Sequence, residues 1–103
     1  TETVSEKIDT EAITKESDIA KKIWKDTKER LESKAYADNK RDLTDAELDE
    51  IELASIEYLK AEAKYYNAVA SNAEQVKNTK KAKANRKRAS EILTQVERRT
   101  SNL

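Results

Sequence analysis

Along the first third of the chain the apolar and neutral positions Ile8, Ala12, Ile19, Ile23, Thr27, Leu31 and Ala35 recur mostly three or four apart. Ile13, Ala20 and Trp24 widen that stripe by one position. This is the period of a helix with one apolar face, and it predicts a first helix over residues 4–39. Thr3 followed by Glu6 offers a capping box at its start. The stripe is thin before Ile19, so the first dozen residues are expected to fray or to break from the main helix.

Polar residues then cluster in Asp38-Asn39-Lys40-Arg41-Asp42, a loop, and Thr44-Asp45-Ala46-Glu47 follows as a helix start. Thr44 can cap the free N–H groups while Glu47 reaches back, and Asp45 complements the helix dipole. Leu43 before the cap and Leu48 at the fourth helical position suit a hydrophobic staple. The second helix, expected over residues 45–70, carries Leu48, Ile51, Tyr58, Tyr65 and Val69 on one line. Ile56, Leu59, Ala63, Tyr66 and Ala70 form an adjoining line. Two stripes side by side make a broad apolar face, which predicts that this helix is central.

Ser71-Asn72-Ala73-Glu74 repeats the capping-box pattern. Two adjacent residues that favour caps over helix interiors predict a break there. A third helix is then expected over residues 72–99, with Val76, Ala82, Ala89, Ile92, Leu93 and Val96 facing inward. Connections this short make neighbouring helices antiparallel. The expected architecture is a single all-α domain spanning 1–103, an elongated antiparallel bundle or hairpin of about three helices.

Composition narrows this further. The chain has no Gly, Pro, Cys, His, Met or Phe, so it lacks the residues that make tight turns and sharp helix stops. Twenty-one bases balance 21 acids, and 41% of the residues are charged. Disordered chains pair low hydrophobicity with high net charge, and here the net charge is zero. The 23 large aliphatic and aromatic side chains suffice for a slender core. No run approaches the roughly 20 apolar residues of a membrane span. The N-terminus Thr-Glu-Thr-Val has no initiator Met, which predicts a processed or trimmed chain and leaves room for a lipid-bearing cysteine before Thr1.

Without His or Cys there is no imidazole base, no thiolate and no customary zinc ligand set. Without Gly there is no phosphate-cradling loop. Glu47 and Glu50 share a helix face, but a bundle di-metal site wants an inward Glu-x-x-His. The reading is therefore a non-enzyme with no cofactor, no metal and no small-molecule substrate.

What remains organised is charge. Asp42, Asp45, Glu47, Asp49, Glu50, Glu52 and Glu57 follow one another with no intervening base, and Lys77, Lys80, Lys81, Lys83, Arg86, Lys87 and Arg88 with no intervening acid. With a turn near Ser71, residues 54–62 would lie opposite about 80–88. Both runs are ordinarily solvated faces. Acids near a helix start are locally favourable, which accounts for Asp45 and Glu47 but not for Glu50, Glu52 and Glu57. An acidic ridge without counter-ions suits docking of a basic protein. Trp24, Tyr65 and Tyr66 fall on the apolar stripes and are expected in the core, whereas Tyr36 beside the loop is the exposed aromatic candidate. A neutral chain with inward aromatics is a poor nucleic-acid binder, so a nucleic-acid-associated role for the basic run over residues 77–88 ranks last among the readings. Self-association through the helix-two face, or pairing with a partner helix, is the alternative, with a monomer or weak dimer expected.

A Gly-free, Cys-free chain of this size with the capped acidic helix Leu43-Thr44-Asp45-Ala46-Glu47-Leu48 resembles the factor H-binding small surface lipoproteins of oral treponemes. The resemblance covers size, composition and overall character along most of the chain and rests on no signature motif. It implies an outer-surface protein, lipid-anchored outside this sequence, that recruits the host complement regulator factor H for immune evasion. The lipidated cysteine of such proteins is not in this sequence. Factor H carries basic modules, so the resemblance implies a partner for the acidic ridge. The docking residues themselves come from the charge pattern: Asp42, Asp45, Glu47, Asp49, Glu50, Glu52 and Glu57, with Tyr36.

Overall fold

The computed structural model describes residues 8–103, as three α-helices and no strand: α1 (Thr10–Ala37), α2 (Asp45–Gln75) and α3 (Thr79–Ser101). The fold is all-α, as the periodicity implies. The Thr3–Glu6 capping box lies outside the described residues.

Helix α1 starts later than residue 4. Asp9 is its N-cap, its carboxylate accepting from the Glu11 and Ala12 N–H groups at 3.0 and 3.2 Å. It ends at Ala37, where Asn39 and Lys40 enter the left-handed region (φ 63° and 55°) and reverse the chain. Helix α2 begins as the sequence implies: Thr44 accepts from the Glu47 N–H at 3.2 Å and Glu47 accepts from the Thr44 N–H at 3.0 Å.

The break expected at Ser71-Asn72 is absent. Both residues lie inside α2, which continues to Gln75. Asn72 is held there by the backbone of Ile8, with which it exchanges two hydrogen bonds. The stop comes at Val76-Lys77-Asn78 and is a Schellman turn: Asn78 N–H donates to the Ala73 carbonyl at 2.8 Å and Lys77 N–H to the Glu74 carbonyl at 3.0 Å. Glycine ordinarily takes the left-handed position of this motif. Here Lys77 adopts it, at φ 58°. Asn78 then caps α3, accepting from the Lys81 N–H at 3.2 Å.

Helix α2 is central. Its antiparallel register with α1 is marked by Ile8–Asn72, Glu16–Lys64, Trp24 stacked on Tyr58, and Arg30–Glu50. Its register with α3 is marked by Ala70 and Ala73 against Ala82, Ala63 against Ala89 and Ile92, and Ser55 with Arg99. The backbones of α1 and α3 do not meet among the described residues. The bundle is consequently open, a layer 68 × 24 × 17 Å in extent.

Small residues dominate the α2–α3 seam, which lets the two backbones approach closely. Ile92 is the one large side chain buried below 2% exposure among the described residues. Leu59 and Tyr66 close over its cluster. Trp24 stacks on Tyr58 with centroids 5.9 Å apart, and Tyr65 meets Tyr66 edge-on, so these aromatics pack on the helix faces their spacing implies but are half-buried rather than in the core. Several expected core residues are not buried. Ile19 and Ile23 are 59% and 54% exposed, and Val76, at the end of α2, is 75% exposed. An outer helix of a layer has one neighbour, so its apolar stripe is only partly covered.

Candidate partner-docking end

The acidic stretch sits at the end of the layer where the α1–α2 loop turns. Arg41 organises it. Its guanidinium spans the loop, with Nη1 and Nη2 donating to the two Glu47 carboxylate oxygens at 2.6 and 3.1 Å, Nε donating to Asp38 at 3.0 Å, and Nη1 also donating to the Asp42 carbonyl at 3.1 Å. A planar fork matched to a carboxylate makes this kind of bidentate bond specific. The Arg41 fork and the Thr44 N–H hold the Glu47 carboxyl down at about 2, and the same pairing raises Arg41 above its ordinary range. Glu47 is thus a structural residue of the loop, its side chain only 13% exposed.

The ridge expected to lack counter-ions is in fact partly neutralised. Glu50 meets Arg30 at 2.7 Å, Glu52 meets Arg99 at 3.5 Å, and Glu57 meets Lys60 at 3.3 Å. Arg30 comes from α1 and Arg99 from α3, neighbours that a scan of residues 42–57 could not reveal. Asp42, Asp45 and Asp49 remain: all three are exposed, and none has an ion pair among the described residues.

Tyr36, at the end of α1, is 68% exposed, with the Lys40 ammonium 5.5 Å from its ring centre. Tyr36 and Asp42 line one open groove of ≈ 490 Å³ with Leu43 and Leu48. Leu43 and Leu48 form the floor that the staple spacing implies, and Leu48 is 49% exposed. The docking candidates therefore divide. Tyr36 and Asp42 share the loop groove, Asp45 and Asp49 stand unpaired on the first turns of α2, and Glu50, Glu52 and Glu57 run up α2 in separate ion pairs. Leu48 and Arg41 were not among the sequence candidates. The staple position of Leu48 was the available signal, and nothing in the sequence singled out Arg41.

The basic run moves as well. With the turn at Lys77, residues 54–62 lie opposite the last turns of α3, as Ser55–Arg99 shows, and the basic run faces the upper part of α2. Arg86 bonds Glu74 at 2.5 Å and the Ser71 hydroxyl at 3.3 Å. This pairing lowers the Glu74 carboxyl and raises Arg86. Arg88 lies over the Tyr66 ring, 5.9 Å from its centre. Lys77, Lys80, Lys81, Lys83 and Lys87 have no ion pair among the described residues.

Among the described residues no cluster of three or more His, Cys, Asp or Glu is arranged to hold a metal ion, and no helix is long and apolar enough to cross a membrane. The class defined by this architecture is an open, all-helical three-helix protein with an acidic end and a basic end. No family model matches the chain, and it matches no curated protein and no solved structure.

Proposed function

We propose that this protein is a protein-binding module whose acidic end docks a basic surface of a partner. The observation that carries this reading is that Asp42, Asp45 and Asp49, exposed and without ion pairs among the described residues, lie on the braced loop and the first turns of α2, where Asp42 shares a groove with exposed Tyr36 and Leu48. An exposed tyrosine over apolar side chains with a polar rim has the anatomy of a protein interface, and tyrosine is a frequent anchor there. The carboxylates supply steering and choice of partner more than affinity. Arg41 and the capping box hold the loop in one shape, which lowers the ordering cost of binding.

The resemblance to treponemal surface lipoproteins nominates factor H as the partner, with immune evasion as the role. Glu50 and Glu52 are weaker carriers of this function than the three aspartates, because each already has an arginine. The test is a binding titration of purified factor H on the immobilised chain. Reversal of Asp45 and Asp49 to Lys is expected to reduce binding several-fold with helicity unchanged. Unaltered binding by that variant would remove the acidic end from the account.

A further inference from the structure

On the face of α2 that carries Ala54, Glu57, Ala61, Lys64, Asn67 and Ser71, two open grooves run end to end. The lower is walled by Ile19, Ala20 and Ile23 of α1, and the upper by Ile8, Ile13 and Leu93. Leu93 is 41% exposed and Ile8 38%. The charges along this line are already matched, Glu16 to Lys64 at 3.0 Å and Glu57 to Lys60 at 3.3 Å. The result is a neutral, largely apolar trough along α2, walled by α1 below and by α1 and Leu93 of α3 above, and left open where the backbones of α1 and α3 do not meet.

We propose that a second copy of this chain covers the trough, lying antiparallel across a two-fold axis near the middle of α2. Charge complementarity selects this occupant and this orientation. The unpaired acids Asp45 and Asp49 stand at one end of α2 and the unpaired lysines Lys80 and Lys83 beyond the other, separated by most of its 31 residues. A parallel pair would set acid on acid and base on base. An antiparallel pair sets each acidic end against the partner's basic end, twice over, as an isologous interface requires. It also brings Ile19 and Ile23 of the two copies together at the two-fold, because the Glu16–Lys64 and Trp24–Tyr58 contacts set them level with the middle of α2. The layer, 68 Å long and 24 Å wide overall, has room for the about 800 Å² per partner that a stable interface buries. The aromatic side of α2 is the poorer surface for pairing, since Tyr58 is stacked on Trp24 and donates to Glu62 at 2.7 Å within the chain.

Sedimentation equilibrium of the chain alone tests this, independently of any foreign partner. The wild-type chain is expected to be a dimer whose dissociation constant rises about tenfold as salt increases from about 0.01 to about 1 M and the ends are screened. Ile19→Gln with Ile23→Gln, both exposed in the single chain, is expected to give a monomer of unchanged helicity. Two charge variants fix the orientation: Asp45→Lys with Asp49→Lys, and Lys80→Glu with Lys83→Glu. Each alone is expected to be monomeric, and an equimolar mixture is expected to form a heterodimer. A wild-type monomer at low salt, a dimer indifferent to the isoleucine changes, or a mixture that stays monomeric would each overturn the proposal.

Discussion

The side-chain amide of Asn72 takes both hydrogen bonds of the Ile8 backbone: Ile8 N–H donates to Asn72 Oδ1 at 2.8 Å, and Asn72 Nδ2 donates to the Ile8 carbonyl at 2.9 Å. These bonds tie the entry of α1 to the upper part of α2 across 64 positions of sequence. They also give a polar residue inside a helix a tertiary partner, so the chain gains nothing by breaking there. Asn72→Ala is expected to abolish slow hydrogen exchange at the Ile8 amide and to cost about 1 kcal/mol in urea unfolding. Retained protection at Ile8 would contradict this role.

Lys77 stands at the left-handed position of the turn between α2 and α3, with φ 58°. A side chain there is strained relative to glycine. Lys77→Gly is expected to raise stability by about 0.5–1 kcal/mol, with the unfolded-state entropy of glycine offsetting part of the gain. The urea midpoint should rise with the slope unchanged.

Acid should unfold the loop end first. The Glu47 carboxyl is lowered from 4.5 to about 2 by Arg41 and Thr44. A group whose folded pKa is depressed contributes stability above its unfolded value and loses it as pH falls through the folded value. The contribution is therefore complete above about 4.5 and lost toward about 2. Chemical shifts at the start of α2 should move in that window, and Glu47→Gln should remove the acid sensitivity there while lowering the neutral-pH midpoint.

The α2–α3 seam depends on small residues. Ala70 is 0% exposed and packs with Ala73 and Ala82. Ala70→Leu is expected to cost about 2 kcal/mol by overpacking, whereas Val76→Gln, on a position 75% exposed, should stay within about 0.5 kcal/mol. Comparable costs at both sites would contradict the layered arrangement.

The parts of this fold legible in the sequence were those with local causes. Thr44 and Glu47 form the expected capping box because both partners lie within one turn. The broad face of α2 predicts a central helix because two stripes need two neighbours. The turn at Lys77 was hidden because its usual marker, glycine, is missing, and Ser71-Asn72 misled because its stabilising partner lies 64 residues away. Periodicity places Ile19 and Ile23 on an apolar stripe but cannot reveal that α1 has a single neighbour. At the acidic end, the aspartates and Tyr36 were legible as charge and exposure. The neutralisation of Glu50 and Glu52 was not, since it comes from Arg30 and Arg99 on other helices.

Binding of a basic protein partner at the acidic end is decided by a comparative capture from human serum. The wild-type chain and the Asp42→Lys, Asp45→Lys, Asp49→Lys triple variant would be immobilised at equal density and the retained proteins compared. The account predicts that the wild-type chain retains factor H in a salt-sensitive manner and that the variant, with helicity unchanged, retains several-fold less. Equal retention by both chains, or no retention of factor H by the wild-type chain, would contradict it.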